Sequence, residues 1–193
     1  MPILKREADL YPANLFELSP GEHPWWVAWV RSRQEKGLAR HLAGQGVGFY
    51  LPQSEKEVRR QGRTFVSHLP LFPGYLFFRG AGQARRSALQ SHLIVQVLPV
   101  HDQGRLDAEL AGLWRMQREG LTLVPHPYLG PGDEVEVSDG PLRGTRGTVL
   151  REKGRLKLVV SVSLLRRSVA AELDRDVLVP ARARFGRLLA AAS

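Results

Sequence analysis

The chain has 193 residues, 43% of them hydrophobic and 24% charged, enough for two small cores or one medium one and too apolar for wholesale disorder. It contains no cysteine, which excludes disulfides, thiolate metal sites and thiol nucleophiles and suits a reducing compartment. The net charge of +9 favours polyanionic partners through phosphate neutralisation and counterion release.

The surplus of charge is unevenly spread: residues 1–24 carry −2, residues 25–119 carry +7, residues 131–180 carry +1 and residues 181–193 carry +3. Residues 1–24 hold Pro2, Pro12, Pro20 and Gly21 without a sustained period, and are expected to form a flexible arm. They lack the apolar core of an export signal. The longest apolar run, Trp25 to Val30, is far too short to span a membrane, so a cytoplasmic location is expected. That run reads as a strand with Trp25, Val27 and Trp29 on one face and Trp26, Ala28 and Val30 on the other. Apolar on both sides, it suits the centre of a sheet. The segment RQEKGLARHLAGQG predicts a helix with Leu38, Ala39, Leu42 and Ala43 inward, Lys36 and Arg40 on a basic exposed side, and Gly46 as its stop.

A strand at Phe49–Leu51 leads into a polar arm up to Arg59. The stretch Arg59 to Arg63 reads as a hairpin tip, with Gly62 free to take a positive φ, and Thr64–Leu69 as the returning strand. PLFPGYLFF (Pro70 to Phe78) is a strand with a Pro-Gly break. Residues 84–92 predict a helix, Ile94–Leu98 a strand, and Leu106–Glu119 a longer helix with Leu106, Leu110 and Leu113 at helical spacing. The uncharged segment 120–130 reads as a linker. From Pro131 short strands alternate with turns, at Glu134–Val137, Thr145–Leu150, Leu156–Leu165, Ser168–Leu173 and Val177–Val179. Their number and spacing predict a small barrel of SH3-like size. The fold class is therefore α+β: an amino-terminal sandwich with helices on an antiparallel or mixed sheet over residues 25–119, a linker at 120–130, a small β-barrel at 131–180 and a basic tail at 181–193.

No constellation in the sequence suggests catalysis, a metal or a cofactor. The six histidines are scattered and none is spaced for a metal or a relay. There is no nucleophile elbow and no acidic cluster suited to magnesium. Gly44, Gly46 and Gly48 follow a helix, so they fail as a dinucleotide loop, and Gly140, Gly144 and Gly147 lack the Gly-Lys-Ser/Thr ending of a phosphate cradle. A binding protein that is not an enzyme is expected.

Two stretches carry a family resemblance. WWVAWV with its following helix, and PLFPGYLFF behind a basic hairpin, resemble the amino-terminal domain of NusG-type transcription elongation factors. GDEVEVSDGPLRGTRGTV (Gly132 to Val149) with LKLVVSVSLLRRSVAAELD (Leu156 to Asp174) resembles the KOW barrel that closes the same proteins. The resemblance covers roughly residues 25–180 and keeps the family's order. It implies a monomeric factor that binds the clamp helices of RNA polymerase and suppresses pausing or termination by holding the clamp closed.

By that resemblance Phe72 and Tyr75 match the aromatic positions of a polymerase-binding pocket, with Leu71 and Phe49 as weaker rim candidates, while Phe77 and Phe78 are assigned to the core. Arg85, Arg86 and Ser87 at the second helix would touch the far side of the cleft. The hairpin bases Arg59, Arg60 and Arg63 would lie near nontemplate or upstream DNA. In the barrel Leu164, Leu165 and Arg167 match the turn that meets a second partner, the termination factor Rho or a small-subunit ribosomal protein, with Leu165 the favoured contact. PLFPGYLFF and the unadorned hairpin look more like specialised RfaH-type paralogues than the general factor, although residues 156–173 show no helical stripe and so suit a constitutive barrel. The alternative is a KOW-containing ribosomal or RNA-binding protein. It predicts the charge surplus on the barrel, where the sequence does not put it.

Overall fold

The computed structural model describes residues 6–19, 21–129, 135–137, 139–152 and 154–173. The chain divides into two compact units, residues 1–107 and 108–193. Its class is α+β, as expected. The strand expected at Val177–Val179 and the basic tail lie outside the described residues.

In the first unit, strands β1 (Leu10–Tyr11), β2 (Trp25–Val30) and β3 (Gly48–Tyr50) are followed by β4 (Gln53–Arg60), β5 (Arg63–Pro70), β6 (Tyr75–Arg79) and β7 (Ile94–Leu98). Helices α1 (Glu35–Gly44) and α2 (Gly82–Gln90) intervene. Five strands form an antiparallel sheet in the order β1-β3-β6-β2-β7, and β4 pairs only with β5. The doubly apolar β2 is internal, because either of its faces exposed would leave large rings in water. On one side Ala28 and Val30 join Phe49, Leu76 and Phe78 of the sheet with Leu38 and Leu42 of α1 and Ala84 and Ala88 of α2 in a continuous core. The opposite side carries Trp25, Val27 and Phe77, all buried.

The flexible arm expected before Trp25 is replaced by an anchored segment over the residues described. β1 pairs with β3 in the register Leu10↔Tyr50 and Tyr11↔Phe49. Leu15 is fully buried, and the Phe16 ring lies 5.8 Å from Trp25 and 5.3 Å from Tyr50. Arg79 secures the stretch by donating to the carbonyls of Leu15 (2.9 Å), Leu18 (2.9 Å) and His23 (3.0 Å). Such single anchors leave no periodic trace in a sequence.

Two further expectations change. The polar arm before Arg59 is a full strand, β4, whose alternating charges suit a ribbon wet on much of both faces. The basic exposed side of α1 is half present. Arg40 is exposed and pairs with Glu7 at 2.6 Å, whereas Lys36 is buried, and that burial lowers its pKa against the opposing pull of Glu7.

Helix α3 (Gln103–Arg118) contributes its residues from Ala108 onward to the second unit. There strands β8 (Val124–His126), β9 (Val135–Glu136), β10 (Arg146–Glu152), β11 (Arg155–Val162) and β12 (Arg167–Leu173) form an antiparallel sheet in the order β8-β12-β11-β10-β9. This is the small antiparallel module expected of an SH3-like barrel. Three residues of the expected linker are its strand β8, in the register Val169↔Pro125. Pro125 cannot donate to a ladder, and β8 is an edge strand, where that loss is tolerated. Leu158, Val160, Val162, Val169 and Ala171 are buried on one side of the β11–β12 ladder, and Val159 and Ala170 on the other.

Candidate functional site

The site grows from the turn inside PLFPGYLFF. β5 ends at Pro70 and β6 begins at Tyr75, so Leu71 to Gly74 must reverse the chain. The Tyr75 N–H closes the turn on the Phe72 carbonyl at 3.0 Å. Gly74 sits at φ +86°, a conformation that only glycine adopts without strain. Its N–H donates to Glu35 Oε1 at 2.7 Å, and its carbonyl accepts from Val30 N–H at 2.8 Å. Glu35 is buried at the start of α1. The turn is thus pinned from the helix and from the central strand.

Pinning the turn fixes what lies beside it. The register sets Trp29 opposite Tyr75 on one side and opposite Gln96 on the other. All three share the sheet face that also carries Val27 and Phe77. That aromatic face is closed at one end and open at the other. At the closed end Trp25 is buried and Arg79 lies over its ring at 4.6 Å. At the open end Trp29 is 44% exposed and Tyr75 half-buried. A bulge between Trp29 and Val30 in the β2–β7 ladder accompanies an exposed Val95, the kind of irregularity that re-aims a side chain at a sheet edge. The result is a partly exposed patch of large apolar rings with polar tips, a composition suited to a protein partner.

Beneath this patch Phe72, 2% exposed, packs edge-to-face on Phe77 at 5.9 Å. Leu71 is equally sealed. Phe72 and Leu71 support the surface without forming it. Phe49 does not rim it, because it pairs with Phe78 on the other face and is 1% exposed in the core under α1 and α2. Arg85 and Arg86 belong to α2, which packs on that other face. Arg85 lies 5.9 Å from the Trp26 ring, and Arg86 donates to Gln83 Oε1 at 2.7 and 3.0 Å. Ser87 is buried and its carbonyl is 2.9 Å from His41 Nε2. The structure therefore brings Tyr75 together with Trp29, and places the α2 residues elsewhere.

The closed end owes its order to Arg79, whose guanidinium is 1% exposed. It pairs with Asp107 at 3.1 Å, and Asp107 also accepts from Trp25 Nε1 at 2.8 Å. Burial lowers the Arg79 pKa and Asp107 counteracts it. Burial likewise pushes the Tyr50 hydroxyl well above its ordinary range.

The hairpin bases Arg59 and Arg63 are exposed, and the register sets Arg60 opposite Arg63. In the second unit Leu164 and Leu165 lie in a 3-10 turn, Ser163–Leu165, that ends on Arg166 at φ +50°. Leu164 is 37% exposed and Leu165 half-buried. Leu164 is thus the more exposed of the two, because β11 ends at Val162 and its alternation does not continue into the turn. Arg167 is exposed at the start of β12, and Arg166 reaches over the Tyr128 ring at 5.7 Å. Glu109 holds the turn, accepting from Ser163 N–H at 3.1 Å and Ser163 Oγ at 2.7 Å.

Among the described residues no cluster of His, Asp or Glu could hold a metal ion, and no helix is long and apolar enough to cross a membrane.

Residues 23–100 match the family model described as transcription termination factor nusG. The likeness to NusG-type factors read from the sequence holds over those residues. Among solved structures, one reported under domain interaction in Thermotoga maritima NusG is 17% identical, covering 80% of this chain and 95% of its own at a TM-score of 0.45. No curated protein matches.

Proposed function

We propose that this chain is a transcription elongation factor of the NusG type, probing RNA polymerase with the Trp29–Tyr75 surface and lacking enzymatic activity. The partner on the polymerase is its clamp helices. An apolar helical hairpin offers side chains that can fill a partly exposed aromatic patch, and a factor that binds the closed clamp more tightly than the open one suppresses pausing or termination by population shift. The β-module, read as a KOW barrel, recruits Rho or a small-subunit ribosomal protein through the turn at Leu164. The hairpin and α2 bases face nucleic acid or the far side of the cleft. A monomeric, cytoplasmic, specialised paralogue with a constitutive barrel fits this reading best.

One observation carries the proposal: a tryptophan and a tyrosine in direct register, left partly in water beside a turn that two hydrogen bonds hold in place. Exposed rings on a rigid frame lose little freedom on binding, which is what an interface anchor requires. The reading as a ribosomal or RNA-binding protein through the barrel is disfavoured by the +1 charge of residues 131–180 against +7 for residues 25–119.

Co-purification with core RNA polymerase tests it. The wild type is retained, and Tyr75→Ala and Trp29→Ala each weaken retention by about 1–3 kcal/mol. Failure of the wild type to bind polymerase removes the reading.

A further inference from the structure

Helix α3 crosses the turn between β9 and β10, and two glycines bring them close. Gly112 has no side chain to hold the helix away: a Cβ there would stand 3.1 Å from Thr145 Cγ2. One turn along the helix, Arg115 lies against Gly144, whose backbone at φ +79° suits glycine. Its guanidinium atoms are 3.8–3.9 Å from where a Cβ on Gly144 would sit. Gly112 and Arg115 share a helix face, so Thr145 and the guanidinium are neighbours across this contact.

Each carries a polar atom that the fold leaves unpaired. Among the described residues, Thr145 is fully buried and its Oγ1 has no hydrogen-bond partner, and the buried Nη1 of Arg115 has none either. Such atoms cost stability unless something meets them. The acids of the neighbouring segments are engaged. Glu136 accepts from Arg146 Nε at 2.8 Å, Asp139 from Gly140 N–H at 2.8 Å, and Glu109 from Ser163. The carbonyls of the turn are engaged too: Val137 accepts from Gly144 N–H, Gly140 from Arg143 N–H, Leu142 from Thr145 N–H, and Thr145 from Val137 N–H.

What remains is a guanidinium N–H and a hydroxyl O–H, two donors beside acceptors already in use. A water accepting from both would have no free acceptor for its own hydrogens. A phosphate would bring more oxygens than the spot has donors. A single-atom anion needs donors alone, and it neutralises a cation partly withdrawn from water.

We infer that Arg115 and Thr145 form a halide site, with chloride as its ordinary occupant, where α3 crosses the β9–β10 turn. Occupancy ties the last turns of α3 to that turn. The site uses no residue of the Trp29–Tyr75 surface, so its test is separate from the polymerase experiment.

The experiment compares the full chain in sodium chloride and in sodium gluconate at equal ionic strength, which keeps the screening of exposed ion pairs the same. The wild type broadens the chloride NMR line, and added bromide reverses the broadening. Arg115→Gln and Thr145→Val each weaken chloride binding by about tenfold or more. Arg118→Gln, which removes the same charge from an exposed position on the same helix, leaves it unchanged. Chloride raises the wild-type Tm by about 2–4 °C over gluconate. Thr145→Val puts a methyl in place of the unpaired hydroxyl at nearly equal size. It melts at the same temperature in both salts, and in gluconate no lower than the wild type. No line broadening by the wild type, equal losses in Arg118→Gln and Arg115→Gln, or a Thr145→Val chain that melts below the wild type by the same margin in both salts overturns the inference.

Discussion

Trp29 was visible in the sequence as one of three alternating residues on an apolar strand face, yet nothing there marked it as the exposed one. Alternation assigns a side and says nothing of how far along the strand a cover extends. The cover comes from residues far away, Leu15, Phe16 and Asp107, and stops short of Trp29. Tyr75, picked out through a resemblance, does lie at the open end; Phe72, from the same motif, does not. The frame under both is the Glu35–Gly74 hydrogen bond. Glu35→Ala leaves the half-buried Gly74 N–H without its partner and costs about 1 kcal/mol in urea unfolding, with faster amide exchange at Gly74. Glu35→Gln keeps an acceptor and restores most of both. Gly74→Ala costs about 1–2 kcal/mol through its left-handed backbone.

At the level of elements, periodic segments were legible and aperiodic ones were not. β2, α1, β7, α3 and strands β9 to β12 of the second unit follow from apolar spacing. β4 was read as an arm because alternating charges mimic a loop when a strand buries little, and β8 was read as a linker because two prolines and no charge suggest one. The segment before Trp25 was missed for a different reason. Arg79, one side chain on β6, supplies the donors that its backbone lacks. Arg79→Met strips three carbonyls of their donor and Asp107 of its cation, and should cost about 3–5 kcal/mol by chemical denaturation. Proteolysis within residues 15–24 should accelerate alongside. Arg79→Lys rescues only in part, since a point charge cannot reproduce the planar fork.

Across the whole molecule, the charge count and the turn inventory point to two different kinds of surface, and each should fail alone. Leu164→Asp, in the exposed turn of the second unit, leaves polymerase co-purification intact and weakens capture of the second partner by about tenfold. Leu165→Asp, half-buried, lowers the melting temperature instead, because it sets a charge against the module's interior. Loss of polymerase binding in Leu164→Asp would show that the two activities do not separate. The order of the two modules was legible because each has its own rhythm, helical spacing mixed with long strands in one and short strands at close intervals in the other. Which residues belong to which compact unit was not, since a helix such as α3 reads the same whatever its individual turns pack against.

The amino-terminal anchoring bears on how the protein can be cut. The segment that matches the family model runs from residue 23 to residue 100, but the Arg79 guanidinium leans on Leu15 and Leu18 before that stretch and on Asp107 after it. A fragment trimmed to the recognisable motif would keep the buried cation and discard most of what neutralises and hydrogen-bonds it. The smallest piece able to fold as the first unit does must therefore reach outward in both directions, from no later than Leu15 to at least Asp107.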